Sequence, residues 1–298
     1  VTVRATSQVS DDGLPTGNLT TVWTQLDGPG TVSFTEVGLA GDTLQTDITA
    51  DLAGVYTLRL SASDGELSGA DEVVLTLREP PIPGSGPVLD GVAAFWRLDE
   101  GTGTQALDDS GSGDHGFLLG LDEGAWQDGV HGSGLCLSGA FGQQVMVQNP
   151  GANIAAPSVT VAAWVKVNPA LNTWAWVAGH GDNYGLVVNR FNSDDLLFYY
   201  FDGANWRSVG FSNTGIRDGQ WHHIAGSFDV ESGVASIFMN GSRLSSQVLG
   251  GVITYVHGSD ASIGSMLGQR NFNGCLDEVQ IYDRALTDSE VQLLGQTP

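Results

Sequence analysis

Apolar and polar residues alternate in short runs along most of the chain, and Gly, Asp, Asn and Ser interrupt the runs every few residues. Period-two alternation places successive side chains on opposite faces of an extended strand, so the pattern predicts many short, half-buried strands. Before residue 80 these are Val1–Val9, Thr21–Leu26, Thr31–Glu36, Thr43–Ile48, Gly54–Ser63 and Asp71–Leu77. Alternation resumes after residue 88, in Val92–Leu98, Gln144–Gln148, Val159–Val167, Leu186–Arg190 and Leu196–Phe201. It continues in His222–Asp229, Gly233–Asn240 and Gly274–Tyr282. Only Thr287–Leu294 reads as a helix, with Thr287 as N-cap and Glu290 three residues later completing a capping box. So many strands with one short helix bury their apolar faces as antiparallel sheets packed face to face, an all-β chain. Between the two strand-rich stretches, residues 80–87 are rich in proline and glycine and read as a short, semi-rigid linker. The expected division is therefore a sandwich over 1–79, a linker over 80–87 and a larger sandwich over 88–298.

Charge narrows the partners. The chain carries 11 Lys+Arg against 34 Asp+Glu, a formal net charge of −23. Such a surface repels a phosphate backbone and anionic lipid, which argues against nucleic acid and membrane surfaces. No apolar run is long enough to span a bilayer, so no membrane insertion is expected. The chain opens directly on strand-like residues with no leader pattern, and is expected to be part of a longer protein, covalently attached to further domains. Cys136 and Cys275 are the two cysteines. They read either as buried thiols or as one disulfide, and an extracellular setting favours the disulfide.

Several segments carry a resemblance. Phe95-Trp96-Arg97-Leu98-Asp99-Glu100-Gly101, Asp108 to Gly116, and Asp218-Gly219-Gln220-Trp221-His222-His223 are three of them. Met239-Asn240-Gly241 is a fourth, and Leu276-Asp277-Glu278-Val279-Gln280-Ile281-Tyr282-Asp283-Arg284-Ala285-Leu286 is the most specific. Together they resemble the laminin-G-like (concanavalin A-like) jelly-roll family over nearly all of 89–298. The resemblance implies a two-sheet antiparallel jelly roll in a secreted or cell-surface protein. It also implies binding of glycan or protein, and commonly a structural Ca²⁺. In the first 79 residues, Trp23 to Gly30 and Gly54 to Gly65 are similar to PKD-type, immunoglobulin-like domains, whose common role is that of a spacer.

Two constellations carry candidate chemistry. The first is the loop Asp108 to His115, dense in carboxylate, hydroxyl and glycine. Oxygen-only ligation suits Ca²⁺. The expected ligands are Asp108, Asp114 and the backbone carbonyl of His115. Asp277 joins them because the resemblance sets the first and last strands of the domain side by side. Ordinary turn capping by the loop's own side chains is the alternative. The same picture has a Cys136–Cys275 bridge clamping the closing strand to the strand holding Leu135–Leu137.

The second constellation lies between Asn172 and Arg207, where aromatic and polar residues are densest. Sugar recognition needs flat rings against C–H faces and polar groups aimed at hydroxyls. Trp174, Trp176, Asp182, Tyr184, Arg190, Tyr199 and Trp206 are the candidates, although strand alternation assigns about half of such residues to the core. Arg190 and Arg207 stand out in so acidic a chain. Each would grip a carboxylate or sulfate, or pair with Asp194, Asp195 or Asp202. Catalysis finds little support. There is no strand of alternating acidic residues for a glycosidase, Lys166 is the only lysine, and no His-Glu-x-x-His or Gly-x-Ser-x-Gly pattern occurs. The expected function is a non-catalytic carbohydrate-binding module with a spacer domain, from a larger secreted polysaccharide-active protein. An adhesion, cell-surface interaction or spacer module is the alternative, and a glycoside hydrolase or polysaccharide lyase is the distant one.

Overall fold

A computed structural model describes residues 2–9, 19–40, 43–51, 54–77, 90–189, 193–266 and 268–296. Its chain divides into two compact units, Val1–Pro80 and Pro81–Pro298. The expected linker lies outside the described residues.

Strands Thr2–Gln8, Thr43–Ala50 and Val32–Ala40 form one sheet of the first unit. Strands Thr20–Asp27, Gly54–Ser63 and Ser68–Leu77 form the other, and all the pairs are antiparallel. Alternation along Thr43–Ala50 turns Leu44, Thr46, Ile48 and Ala50 inward. There Ile48 and Ala50 of one sheet meet Tyr56 and Leu58 of the other, and Trp23 stacks on Phe34 at 5.9 Å between ring centroids. Tyr56 is fully buried against Gly28, where an added Cβ would fall 2.1 Å from the tyrosine ring. That turn position therefore demands glycine.

The second unit is a sandwich of two larger antiparallel sheets. One runs in the order Trp126–Asp128, Ser133–Ser138, Asn273–Tyr282, Val159–Val167, Trp221–Asp229, Val234–Met239 and Ser242–Val248. The closing strand Asn273–Tyr282 pairs with Val159–Val167 along one side. Along its other side it meets Ser133–Ser138 at its start and Val92–Trp96 at its end. The unit's first and last strands are thus neighbours. Cys136 lies opposite Cys275 in register and is disulfide-bonded to it across 139 residues of sequence. Closing a loop of that length removes roughly 5 kcal/mol of unfolded-chain entropy in the loop-closure account.

The other sheet runs in the order Trp206–Phe211, Leu196–Phe201, Tyr184–Val188, Ala175–His180, Ala261–Ile263, Gln144–Val147, Gly116–Leu119 and Gln105–Ala106. Between the sheets lies one continuous core that includes Trp96, Phe198, Tyr200, Phe228, Leu276 and Ile281. Among the described residues the one α-helix, Asp288–Leu294, packs Val291 and Leu294 onto Ala162, Ala225, Phe238 and Tyr282, on the outer face of the first sheet. The expected capping box is present: Thr287 Oγ1 accepts from the Glu290 N–H, and the Glu290 carboxylate accepts from the Thr287 N–H. Two- and three-residue strands such as Gln105–Ala106, Trp126–Asp128 and Ala261–Ile263 are too short to give a period-two signal, and the sequence pattern misses them.

Candidate functional site

The outer face of the second sheet is built by strand alternation. Along Leu196–Phe201, Leu196, Phe198 and Tyr200 enter the main core, while Leu197 and Tyr199 turn to the opposite face. There they form a second apolar cluster with Trp176, Val187 and Met266, and Trp174 packs on its edge. Gly185 stands opposite Tyr199 in register. An added Cβ at Gly185 would come within 2.3 Å of the Trp176 indole, so the absent side chain is what makes room for that ring. Trp176 Nε1 donates to the Ser262 carbonyl at 3.0 Å, which satisfies the indole in its buried seat.

On this floor sits a cavity of about 370 Å³ lined by Trp174, Asp182, Tyr199, Trp206, Arg207, Ser208 and Arg270. Tyr199 donates its hydroxyl to Asp182 Oδ1 at 2.6 Å. Arg270 Nη1 donates to the Tyr199 oxygen at 2.8 Å and to Asp182 Oδ1 at 3.3 Å. The Arg270 guanidinium carbon lies 3.6 Å from the centroid of the Trp174 ring, a cation–π stack that fixes its position. Burial, reinforced by the neighbouring Asp182, holds the Tyr199 hydroxyl far above its ordinary pKa, so it stays a neutral donor. At the rim Trp206 is 48% exposed. It meets Tyr199 edge-on at 5.4 Å and is backed by His257, stacked at 5.3 Å. Arg207 Nε donates to Asp202 Oδ2 at 2.6 Å. The N–H groups of Asn205 and Ala204, together with Arg207, hold the Asp202 carboxyl down at about 2. A half-exposed indole beside directional polar groups is the chemistry a pyranose ring engages.

Of the residues singled out from sequence, Trp174, Asp182, Tyr199, Trp206 and Arg207 come together here, with Arg207 paired to Asp202. Trp176 does not line the cavity. It is fully buried beneath it, seated over Gly185. Tyr184 is also removed from the site, because it points into the main core with Leu186 and Val188 and donates to the Ile154 carbonyl at 2.8 Å. Arg190 lies outside the described residues.

The sequence profile of the concanavalin A-like lectin/glucanases superfamily matches residues 139–292. The chain belongs to this superfamily. All seven residues around the cavity fall within the matched span. Adhesion G-protein coupled receptor V1 of Danio rerio is 27% identical over 149 residues, covering 47% of this chain and 2% of the receptor. Among solved structures, the binding domain of Paraclostridial Mosquitocidal Protein 1 has a TM-score of 0.55 at 17% identity, covering 69% of this chain and 52% of that one. The receptor binding domain of botulinum neurotoxin C/D mosaic serotype gives 0.52 at 13% identity, covering 69% and 51%. At such identities the structural likeness shows the shared fold. The chain spans about half the length of these solved structures and a small fraction of the receptor.

In this concanavalin A-like domain the first constellation, the Asp108 loop with Asp277, is arranged differently from the expectation. Asp108 Oδ1 accepts from the N–H groups of Phe95 and Ser110, and Oδ2 from Ser110 Oγ and the Asp114 N–H, each at 2.9 Å. His115 Nδ1 accepts from the Asp108 N–H at 2.9 Å. Asp114 Oδ1 accepts from the Gly151 N–H at 2.8 Å, and Oδ2 is buried with no hydrogen-bond partner. Burial, with a smaller push from Asp108, raises the Asp114 carboxyl. Asp277 is not beside this loop. Its Oδ2 accepts from the N–H groups of Val130 and His131, at 2.7 and 3.0 Å, and its Oδ1 from the Glu278 N–H at 2.9 Å. The reason is register: along the closing strand, pairing with Val92–Trp96 begins only at Val279, so Asp277 faces the turn before Ser133–Ser138. Among the described residues no three His, Cys, Asp or Glu side chains converge as metal ligands do. Asp108, Asp114, His115 and Asp277 therefore do not fit a shared cation, and Asp114 Oδ2 is the one carboxylate oxygen among them without a hydrogen bond.

Sequence reasoning missed Arg270 and Ser208 as lining residues. Arg270 arrives from a loop more than sixty residues downstream, carried in because Ala261–Ile263 pairs with Ala175–His180. The available signal was scarcity, since it is one of few basic side chains in an acidic chain.

Proposed function

We propose that the larger unit is a non-catalytic carbohydrate-binding module of an extracellular or cell-surface protein, and that its site is the cavity beside Trp206. One observation carries the reading: a half-exposed tryptophan stands at the mouth of a cavity whose walls are already hydrogen-bonded and stacked into place. Such preorganisation lowers the ordering cost of binding. The disulfide accords with an oxidising compartment. In this reading the first unit is a spacer of PKD type. Affinity electrophoresis of the whole chain through gels containing different polysaccharides tests the proposal. Retardation by at least one polysaccharide, lost in Trp206→Ala, is the expected result. Retardation that survives the substitution would move the site elsewhere.

The zebrafish adhesion receptor favours a second reading, in which the domain contacts a protein at a cell surface. Indifference to every polysaccharide would select it. We also propose that Ca²⁺ binds the Asp108 loop through Asp114, because a buried carboxylate oxygen without a hydrogen bond is one that a hard cation satisfies. Asp277 takes no part. A melting temperature that falls with chelator and recovers with Ca²⁺ is expected, and an unchanged one would contradict it.

A further inference from the structure

Resting on the glycan-binding reading of the same cavity, we propose that the site selects an anionic sugar, one bearing a carboxylate or a sulfate ester. Arg207 and Arg270 hold the charged group while Trp206 stacks on the ring.

The chain as a whole argues the other way, which makes the local composition informative. Acidic residues outnumber Lys+Arg by 34 to 11. Around the cavity the balance reverses, with two guanidinium groups against the single carboxylate of Asp182. That carboxylate is already committed, since Oδ1 takes the Tyr199 hydroxyl at 2.6 Å and Arg270 Nη1 at 3.3 Å. Its charge is matched by Arg270 rather than presented to a ligand. Asp202, the partner of Arg207, is not among the lining residues, and its carboxylate is spent on two backbone N–H groups as well as on Arg207 Nε.

Both arginines keep donors in reserve. Among the described residues Arg207 is engaged through Nε alone, which leaves its terminal nitrogens without hydrogen bonds. Arg270 is engaged through Nη1, by Asp182, Tyr199 and Met266, which leaves Nε and Nη2. A guanidinium anchored at one nitrogen, as Arg207 is by Asp202, or also stacked on an aromatic ring, as Arg270 is on Trp174, offers its remaining N–H groups to the paired oxygens of a carboxylate or sulfate. The side chains are 39% and 22% exposed, so both are partly desolvated yet reachable. A neutral sugar would leave these donors facing only hydroxyls and would forgo the charge-assisted bonds.

Matched pairs of polymers test the charge requirement apart from the ring requirement. Affinity electrophoresis of the whole chain is run against dextran and dextran sulfate, and against polygalacturonate and its highly methyl-esterified form. The wild type, Arg207→Gln and Trp206→Ala are compared after their melting temperatures are matched. The expected result is an affinity at least ~10-fold higher for the charged member of one pair. That preference should weaken in 0.5 M salt and collapse in Arg207→Gln, while Trp206→Ala weakens binding to both members. Preference for the sulfated polymer alone, or for the uronate alone, identifies which anion the forks hold. Equal binding to charged and neutral members, lost in Trp206→Ala, would overturn the anion selection and leave the glycan reading standing. No retardation by any of the four would overturn the anion selection, and the same silence across every polysaccharide would overturn the glycan reading with it. Should Arg207→Gln fail to fold, the salt dependence and the matched pairs with wild type still decide.

Discussion

The Asp108 loop and the Trp206 cavity are both dense in polar side chains, and the fold uses them in opposite ways. In the loop the polar groups satisfy one another, with Asp114 Oδ2 the exception. The Asp108 carboxylate takes four donors from its own turn and from the neighbouring strand, and is buried in doing so. In the cavity the polar groups lock one another in place, yet guanidinium donors and an indole face are left toward solvent. The first arrangement resists unfolding and leaves one buried carboxylate oxygen, Asp114 Oδ2, for a ligand. The second leaves donors uncommitted, which is what the proposed recognition requires. What separates them is whether the hydrogen-bonding capacity has been consumed inside the fold, which residue type alone does not reveal.

This contrast predicts that stability and binding separate by substitution. Asp108→Ala strands four donors around a buried site, and a loss of about 3 kcal/mol is expected. Chemical denaturation of the larger unit reads that loss, and the affinity of the folded fraction should not move. Asp277 sharpens the point, because burial pushes its carboxyl up to about 7 despite the three N–H groups it accepts. A carboxyl raised in the folded state binds protons that the unfolded chain has released, so its contribution to stability is lost as pH climbs from about 4 to about 7. Buried His223, whose ring is held down at about 3, works in the opposite sense on the whole protein. The comparison must therefore be wild type minus Asp277→Asn, in which the histidine cancels. That difference should shrink by on the order of 4 kcal/mol across the same range. A constant difference would contradict the burial account.

At the cavity the expected effects fall on binding. Trp206→Ala should weaken glycan binding by about 2 kcal/mol, near 30-fold, as truncation of an interface tryptophan does. It should change the melting temperature little, because the ring is half exposed. Tyr199→Phe removes the donor to Asp182 and the acceptor for Arg270 while leaving the ring in place. A smaller loss of affinity, about 1 kcal/mol, is expected in titration calorimetry. A Tyr199→Phe effect larger than that of Trp206→Ala would place the recognition surface deeper than the rim.

Much of the fold was legible because alternation and capping are local. The strand Leu196–Phe201 and the capping box of Thr287 and Glu290 follow directly from residue order. Tyr184 was misassigned by a question of parity. The predicted strand began at Leu186, and extending it by two residues puts Tyr184 on the same inward face as Leu186 and Val188. The burial of Trp176 depends on the small residue across the sheet, Gly185, and so on a pairing that one strand's pattern does not contain. Asp277 depends on where the closing strand exchanges one neighbour for another, a register fact settled by two distant segments. Arg270 needed the sheet order itself, delivered through a three-residue strand.

The separation of roles is tested most directly by running wild type, Trp206→Ala and Asp108→Ala side by side in affinity gels, with a melting curve for each. The expected outcome is a double dissociation: Trp206→Ala loses retardation and keeps its melting temperature, whereas Asp108→Ala melts earlier and is retarded as the wild type is. If Trp206→Ala is retarded normally, or if Asp108→Ala abolishes retardation while still folded, the cavity is not the binding site.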